Sequence, residues 1–389
     1  MAKKTWTLTD ASQNLEHAEF SIGPNDVEGN ATGWSVKKRT LSAGRSAGVS
    51  VIEVDNGLFR FSIIPTRGMG IWKGWIGDDM LGWKSPANGP VHPNFVPLSE
   101  PSGLGWLDGF DELLVRCGLE SNGAPEFDEH HVLKYPLHGR IANLPAHKVT
   151  VTVDGDSGGI SVTGEVDESR FHFQKLRLTA TISTGLNESG FQIHDEVRNL
   201  SASPAEVQML YHTNFGSPQL DAGSKLVVPA KTIVPRNDHA AKSVANWADY
   251  QAEQPGFEEQ VYFFELLADH KDNTEVLLKN AHGNSGVSLT FNRKQLPWFT
   301  QWKNTTALVD GYVTGIEPAT NFPNPRNFER KQGRVVKLPA GGSQVFELGV
   351  AWHRDAASVA NSEKRISQLQ GSTKPEIHRS PQSGWCEGA

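Results

Sequence analysis

From residue 50 onward the apolar residues recur at every second position, not every third or fourth, and turn residues interrupt the pattern before any run grows long. A period of two is the signature of strands with one buried face. Ser50-Val-Ile-Glu-Val-Asp and Leu58-Phe-Arg-Phe-Ser-Ile-Ile flank Asn56-Gly57, the dipeptide best suited to a two-residue hairpin turn. Further β-rich segments are expected at 148–153, 159–166, 171–183, 190–200, 205–211, 225–234, 260–267, 274–279, 286–291 and 343–351, separated mostly by Gly, Asn, Asp and Pro. Helical periodicity is confined to 243–251 and 355–370. Strands and helices do not alternate, which disfavours a parallel α/β sheet, and no internal repeat marks a propeller or solenoid. The expectation is an all-β protein: a large antiparallel β-sandwich with few short helices.

Three regions are expected along the chain. Residues 1–44 are polar and weakly patterned and decorate the sandwich, residues 45–355 form it, and residues 356–389 make a C-terminal helix and tail. After residue 371 the tail has too little apolar content for a core of its own, so it is expected to be disordered or laid along another surface, such as a neighbouring subunit. A homo-oligomer stays open on that ground.

Composition removes several function classes. Lys and Arg number 37 against 44 Asp and Glu, a formal charge of −7 with no basic cluster, so no nucleic-acid partner is expected. No run approaches the roughly 18 apolar residues of a membrane helix, and Met1-Ala-Lys-Lys has no apolar stretch behind it, so neither membrane insertion nor secretion is expected and the cytoplasm is the default location. Cys117 and Cys386 are far apart and belong to no CxxC pair, which argues against a disulfide framework or structural zinc. Cys117, among Leu and Val, reads as a buried thiol. His130 and His131 lie near Glu126, Asp128 and Glu129, but adjacent strand residues point to opposite faces, so no metal site is expected.

Polar residues gather in five Gly- and Pro-rich segments. Arg67 follows an apolar run in Ile64-Pro-Thr-Arg67-Gly, and on this motif alone a surface cation capping a strand end is the preferred reading. His138 precedes Gly139, a place where backbone can approach a ligand, although a lone histidine is more often structural. Tyr211-His212-Thr-Asn214-Phe crowds an imidazole, an amide and a hydroxyl at the end of a β-run, a costly set to bury without partners. Trp298-Phe-Thr-Gln301-Trp302 offers two indoles, either a ligand wall or a hydrophobic staple beneath a loop. Glu317, in Gly315-Ile-Glu317-Pro-Ala, closes an apolar run where a carboxylate can serve as a general base.

In that chain order the five segments resemble the active-site segments of the galactose mutarotase-like (aldose 1-epimerase) superfamily, over roughly residues 45–355 and at the distance of a divergent branch. His212 corresponds to the histidine of the family's Asn-His-x-x-Phe segment, and Gly315 to Asn324 to the segment that contains its glutamate. Residues 299–304 correspond to its Gln-x-Tyr-x-x-Asn stretch. Tyr211 stands in place of the family's Asn, the aspartate that holds sugar hydroxyls has no match, and residues 106–122 have no counterpart. The resemblance implies a galactose mutarotase-like supersandwich that interconverts sugar anomers without a cofactor. Glu317 would take the proton of the anomeric hydroxyl while His212 protonates the ring oxygen. Arg67, His138, Asn214, Gln301, Trp298 and Trp302 would bind the sugar or sugar derivative. Two alternatives stand beside it: an epimerase or lyase acting on an oxidised sugar, and a non-catalytic carbohydrate-binding protein.

Overall fold

The computed structural model describes residues 3–389. The period-two runs are strands, and the clearest are Ile160–Ser169 and Lys175–Thr184, each burying every second side chain. They pair antiparallel without interruption from Ile160 opposite Thr184 to Ser169 opposite Lys175. Ser50–Asp55 and Arg60–Ile64 form the hairpin expected around Asn56-Gly57. Apart from Glu126–Phe127 and Leu133–Tyr135, which pair only with each other, the strands assemble into a ten-stranded and a fourteen-stranded sheet, antiparallel throughout but for one short edge pairing.

The core lies between the sheets. Val151, Val162, Leu178 and Ile193 from the smaller sheet meet Ile63, Ile71, Met209, Phe299 and Ile316 from the larger. A buried ion pair ties the layers together: Arg116 donates to both carboxylate oxygens of Asp195 at 2.5 and 2.9 Å, and Tyr211 donates to Asp195 at 2.8 Å. Paired and bidentate, these charges meet the condition under which burial is tolerated.

In the middle of the larger sheet the alternation disappears. Leu114–Leu119 and Val313–Ala319 are buried at every position, and Ala205–Phe215 at nearly every one. The outer face of these strands is itself covered, so a second buried surface exists outside the main core. Trp83, Trp106, Phe110, Val115, Cys117 and Leu210 pack there as a separate cluster. The candidate site lies on this face.

Both ends of the chain depart from expectation. Residues 3–44 are woven into the sandwich: Lys3–Asp10 pairs with Lys148–Asp154 in the smaller sheet, and Glu19–Ile22 and Ser35–Thr40 extend an edge of the larger. Leu8 and Val36 are core residues. Their strands read as polar because edge strands bury few positions. At the other end, Ala356–Gln370 is the expected helix, capped by Asp355 through Ser358 N. It packs Val359 and Ile366 on Leu277. The tail then lies on its own sheet: Glu376–Ile377 pairs alongside Ala230–Pro235, and Trp385 and Cys386 join Val234, Phe263 and Phe322. The helix expected at 243–251 is only a single 3-10 turn, Val244–Asn246, and the short α-helix nearby, Asp238–Ala241, precedes that range. No helix among the described residues is long and apolar enough to cross a membrane.

Candidate active site

Ala205–Phe215 and Val313–Ala319 are neighbours in the larger sheet. Thr213 pairs with Ile316 and Asn214 with Gly315, a register that sets His212 directly across from Glu317 on the outer face. The two side chains are almost fully enclosed, and His212 Nε2 stands 3.2 Å from Glu317 Oε1. Apart from that contact, the oxygen has no hydrogen-bond partner in the protein. Gly315 makes the arrangement possible, since a Cβ there would lie 2.5 Å from Glu317 Oε1 and 2.8 Å from His212 Cε1.

The tautomer of His212 follows from Asn214. Its amide nitrogen donates to the carbonyls of Glu112 and His212, at 3.0 and 3.1 Å. Its oxygen is left to accept from His212 Nδ1 at 2.6 Å. Nδ1 therefore carries a proton, and Nε2 is the ring atom free to exchange one with the carboxyl. Burial, and secondarily the neighbouring His138, holds the His212 imidazole well below its ordinary range. Burial, reinforced by Glu259, pushes the Glu317 carboxyl well above its own. Both directions place the single exchangeable proton of the pair on Glu317 and leave His212 neutral.

His138 is the second imidazole. Its Nδ1 lies 3.0 Å from the carbonyl of Asn122, which can only accept, so Nε2 presents a lone pair. Burial is the main reason its pKa is lowered to about 4, and the charge of Arg236 adds to it. His138 and Gly139 both adopt left-handed backbone angles. A Cβ on residue 139 would meet the Ser121 carbonyl at 1.9 Å, so this tight crossing requires glycine. The two imidazole rings stand edge to face, 5.3 Å apart.

Above the pair is a cavity of about 360 Å3, within the roughly 300–1,000 Å3 span of small-molecule sites. Trp106, Phe110 and Trp302 wall it beside the imidazoles: Trp106 lies 4.7 Å from His138, and Phe110 and Trp302 lie 5.2 and 5.5 Å from His212. Arg236, Glu259 and Thr300 complete its polar lining. Trp106 Nε1 and Thr300 Oγ1 join Glu317 Oε1 as buried polar atoms without a protein partner. Three such atoms on residues lining one cavity suit a ligand rich in hydroxyls.

Of the residues expected to bind or act on a sugar, Glu317, His212, His138 and Trp302 line the cavity, and Arg67, Asn214, Gln301 and Trp298 do not. Asn214 orients His212 from behind. Gln301 points to the opposite face of its strand, because only alternate residues of Trp298–Asn304 share the face of Trp302, and it donates to Tyr250 and the Trp247 carbonyl. Trp298 is on the correct face but four positions from Trp302, against Phe322 and Trp385. Arg67 is 1% exposed and fully engaged. It donates to Glu112 at 2.5 Å, Asn143 at 2.7 Å, and the carbonyls of Gly109 and Val91 at 3.0 and 3.2 Å. It braces the segment that carries Trp106 and Phe110.

Trp106, Phe110, Thr300, Arg236 and Glu259 were not singled out from sequence. The first two belong to the 106–122 segment, whose unplaced tryptophan was the available signal. Arg236 and Glu259 carry no local pattern and meet only through strand pairing. His130 and His131 lie on a turn away from this cavity. Cys117 is fully enclosed, and burial raises its thiol well above the ordinary range.

A protein-family model described as a domain of unknown function, DUF4432, matches residues 46–351. The chain belongs to that family. No curated protein matches it. Among solved structures, this DUF4432 protein is similar to a "putative aldose 1-epimerase" from Klebsiella pneumoniae, with 34% identity and a TM-score of 0.93 over 98% of this chain and 99% of that one. A galactose mutarotase-like protein from Clostridium acetobutylicum superposes with a TM-score of 0.56 at 14% identity, over 82% of this chain and 98% of that one. One from Lactobacillus casei gives 0.51 at 15% identity, over 78% and 100%. The DUF4432 chain thus has the galactose mutarotase-like fold, which the resemblance in its sequence implied.

Proposed function

We propose that this protein is an aldose 1-epimerase-like isomerase that interconverts the anomers of a sugar or sugar derivative in the cavity above His212 and Glu317. The observation that carries the reading is the cross-strand contact of one imidazole with one carboxyl, enclosed together and 3.2 Å apart. Anomer exchange needs a proton removed from the anomeric hydroxyl and a proton given to the ring oxygen. Those two oxygens share one carbon, so the groups serving them must be close neighbours.

The proton count also suits the chemistry. A pair holding one exchangeable proton always contains one donor and one acceptor. Transfer from Glu317 to His212 Nε2 across their contact yields a carboxylate and an imidazolium. Glu317 then takes the hydroxyl proton while His212 protonates the ring oxygen, and the bond from the anomeric carbon to that oxygen opens. Rotation of the resulting aldehyde and closure on the other face reverse the transfers. The Asn214 oxygen stabilises the imidazolium by accepting from Nδ1, and His138 Nε2 accepts from a neighbouring sugar hydroxyl. Trp106 and Trp302 cover apolar sugar faces.

A positioned acid–base pair contributes roughly 10²–10⁴-fold. The test is saturation-transfer NMR of anomer exchange over a panel of aldoses and sugar acids. At least one sugar should exchange faster with protein than in buffer. Exchange of none, together with binding of some, would favour the non-catalytic reading.

A further inference from the structure

Arg236 follows Ala230–Pro235, and its backbone N–H is fixed to the Val261 carbonyl at 3.0 Å, so its side chain issues from a rigid strand end into the cavity wall. Its guanidinium is about one-third exposed, and its contact with a carboxylate is a loose one, 3.8 Å from Nη1 to Glu259 Oε1. No hydrogen bond from that guanidinium to the protein is found among the described residues. Glu259 is itself committed elsewhere, accepting from Trp302 Nε1 at 2.7 Å. Two fully buried arginines behave differently: Arg67 and Arg116 each spend their donors on a carboxylate at 2.5 Å and on backbone carbonyls. Arg236 is thus a cation facing the cavity with its donor fork free.

The rest of the lining fits a ligand that brings its own negative charge. Leu104, Leu107, Pro125, Leu137, Val261 and Pro323 supply no polar side-chain atom. Glu259, already engaged with Trp302, is the one acidic side chain on the wall besides Glu317. A guanidinium fork matches the paired oxygens of a carboxylate or a phosphate, and its charge acts strongly where apolar walls exclude water.

We propose that the substrate is a sugar derivative bearing an anionic group, a carboxylate or a phosphate, which Arg236 holds while the anomeric end meets His212 and Glu317. This rests on the anomer-exchange reading for the site but is tested separately, by binding. D-glucuronate, D-galacturonate and D-glucose 6-phosphate are titrated calorimetrically against wild-type protein, beside D-glucose and D-galactose. At least one anion should bind about 10-fold or more tighter than its neutral parent, with the preference shrinking as salt rises. Whether the uronates or the phosphate shows it identifies the anionic group.

Arg236→Gln should remove most of that preference, weakening the anions far more than the neutral sugars, and Arg236→Lys should keep part of it. Glu259→Gln, which removes the competing carboxylate, should tighten anion binding. The proposal is overturned if the neutral parents bind as well as the anions, if no anion binds, or if the preference survives Arg236→Gln. It is equally overturned if Arg236→Gln weakens neutral and anionic sugars alike, because Arg236 and Glu259 would then form a clamp for hydroxyls. An anion that binds through Arg236 without exchanging anomers contradicts the isomerase reading and leaves this one standing. Exchange of neutral sugars with no anion preference does the reverse.

Discussion

At position 315 the missing Cβ keeps open the space beside Glu317 and His212, the proposed acid–base pair. The residue lies inside a strand with no left-handed backbone angle, so alanine is tolerated by the chain and excluded only by its neighbours. Gly315→Ala should therefore still fold, at a cost of roughly 1–3 kcal/mol from overpacking against Glu317 and His212, and lose about 10²-fold or more in anomer exchange. A variant with wild-type turnover would show that the space over the pair is not used. Glu317 makes a second prediction, on stability. Its carboxyl titrates well above 4.5 in the folded protein and near 4.5 when unfolded. Above that lower value the folded chain holds a proton that the unfolded chain releases, so the wild type loses about 1.4 kcal/mol per pH unit until the folded carboxyl ionises. Glu317→Gln has nothing to titrate. It should match the wild type below about pH 4.5 and exceed it in melting temperature increasingly as the pH rises from there until the folded carboxyl ionises; a pH-independent difference would contradict the raised carboxyl. Arg67 gives the opposite sign. Arg67→Met strands Glu112 in the interior and should cost about 3–5 kcal/mol in chemical denaturation, with Glu112→Leu in the same chain recovering part of it. Unchanged stability with weakened sugar binding would return Arg67 to the role the sequence resemblance implied.

Among the elements, strand register separates what could be read in advance from what could not. His212 and Glu317 were legible because each sits in a segment whose neighbours resemble a known motif. Gln301 and Trp298 were misplaced for one physical reason: 298–304 is a regular strand, and in a strand position alone does not reveal which face meets a ligand. The five polar segments were expected at strand ends, but His212 and Glu317 lie within strands, where a covered outer face hides the alternation that would have shown it. The tail makes its own prediction. Asn324 donates to the Trp385 carbonyl and Arg334 to the Gly384 carbonyl, so the last residues pin the segment that ends in the cavity-lining Pro323. Trp385→Ala should lower stability by on the order of 2 kcal/mol. Ending the chain at Gly371 should lower it further and weaken sugar binding. A truncated chain with wild-type melting and binding would confirm the sequence-based expectation that the tail adds little.

For the whole molecule, the period-two pattern was enough to predict a large antiparallel sandwich, because each strand must bury one face against another layer. It was not enough to assign residues 3–44 to that sandwich, since Lys3–Asp10 buries little more than Leu8 and its own end. Nor did it reveal that the 106–122 segment builds both the aromatic wall and, through Arg116, the tie between the sheets. The fold's contribution to function is to bring side chains from strands 205–215 and 313–319 and from the 104–110 and 137–139 loops over one patch of sheet. The measurement that tests this most directly is anomer exchange of the tightest-bound sugar by saturation-transfer NMR, for wild type, Glu317→Gln and His212→Asn, with affinities measured in parallel. Each variant should keep its affinity within a few-fold and lose about 10²-fold or more in exchange rate. Near wild-type exchange by Glu317→Gln, with the sugar still bound, would contradict the assignment of His212 and Glu317 as the acid–base pair.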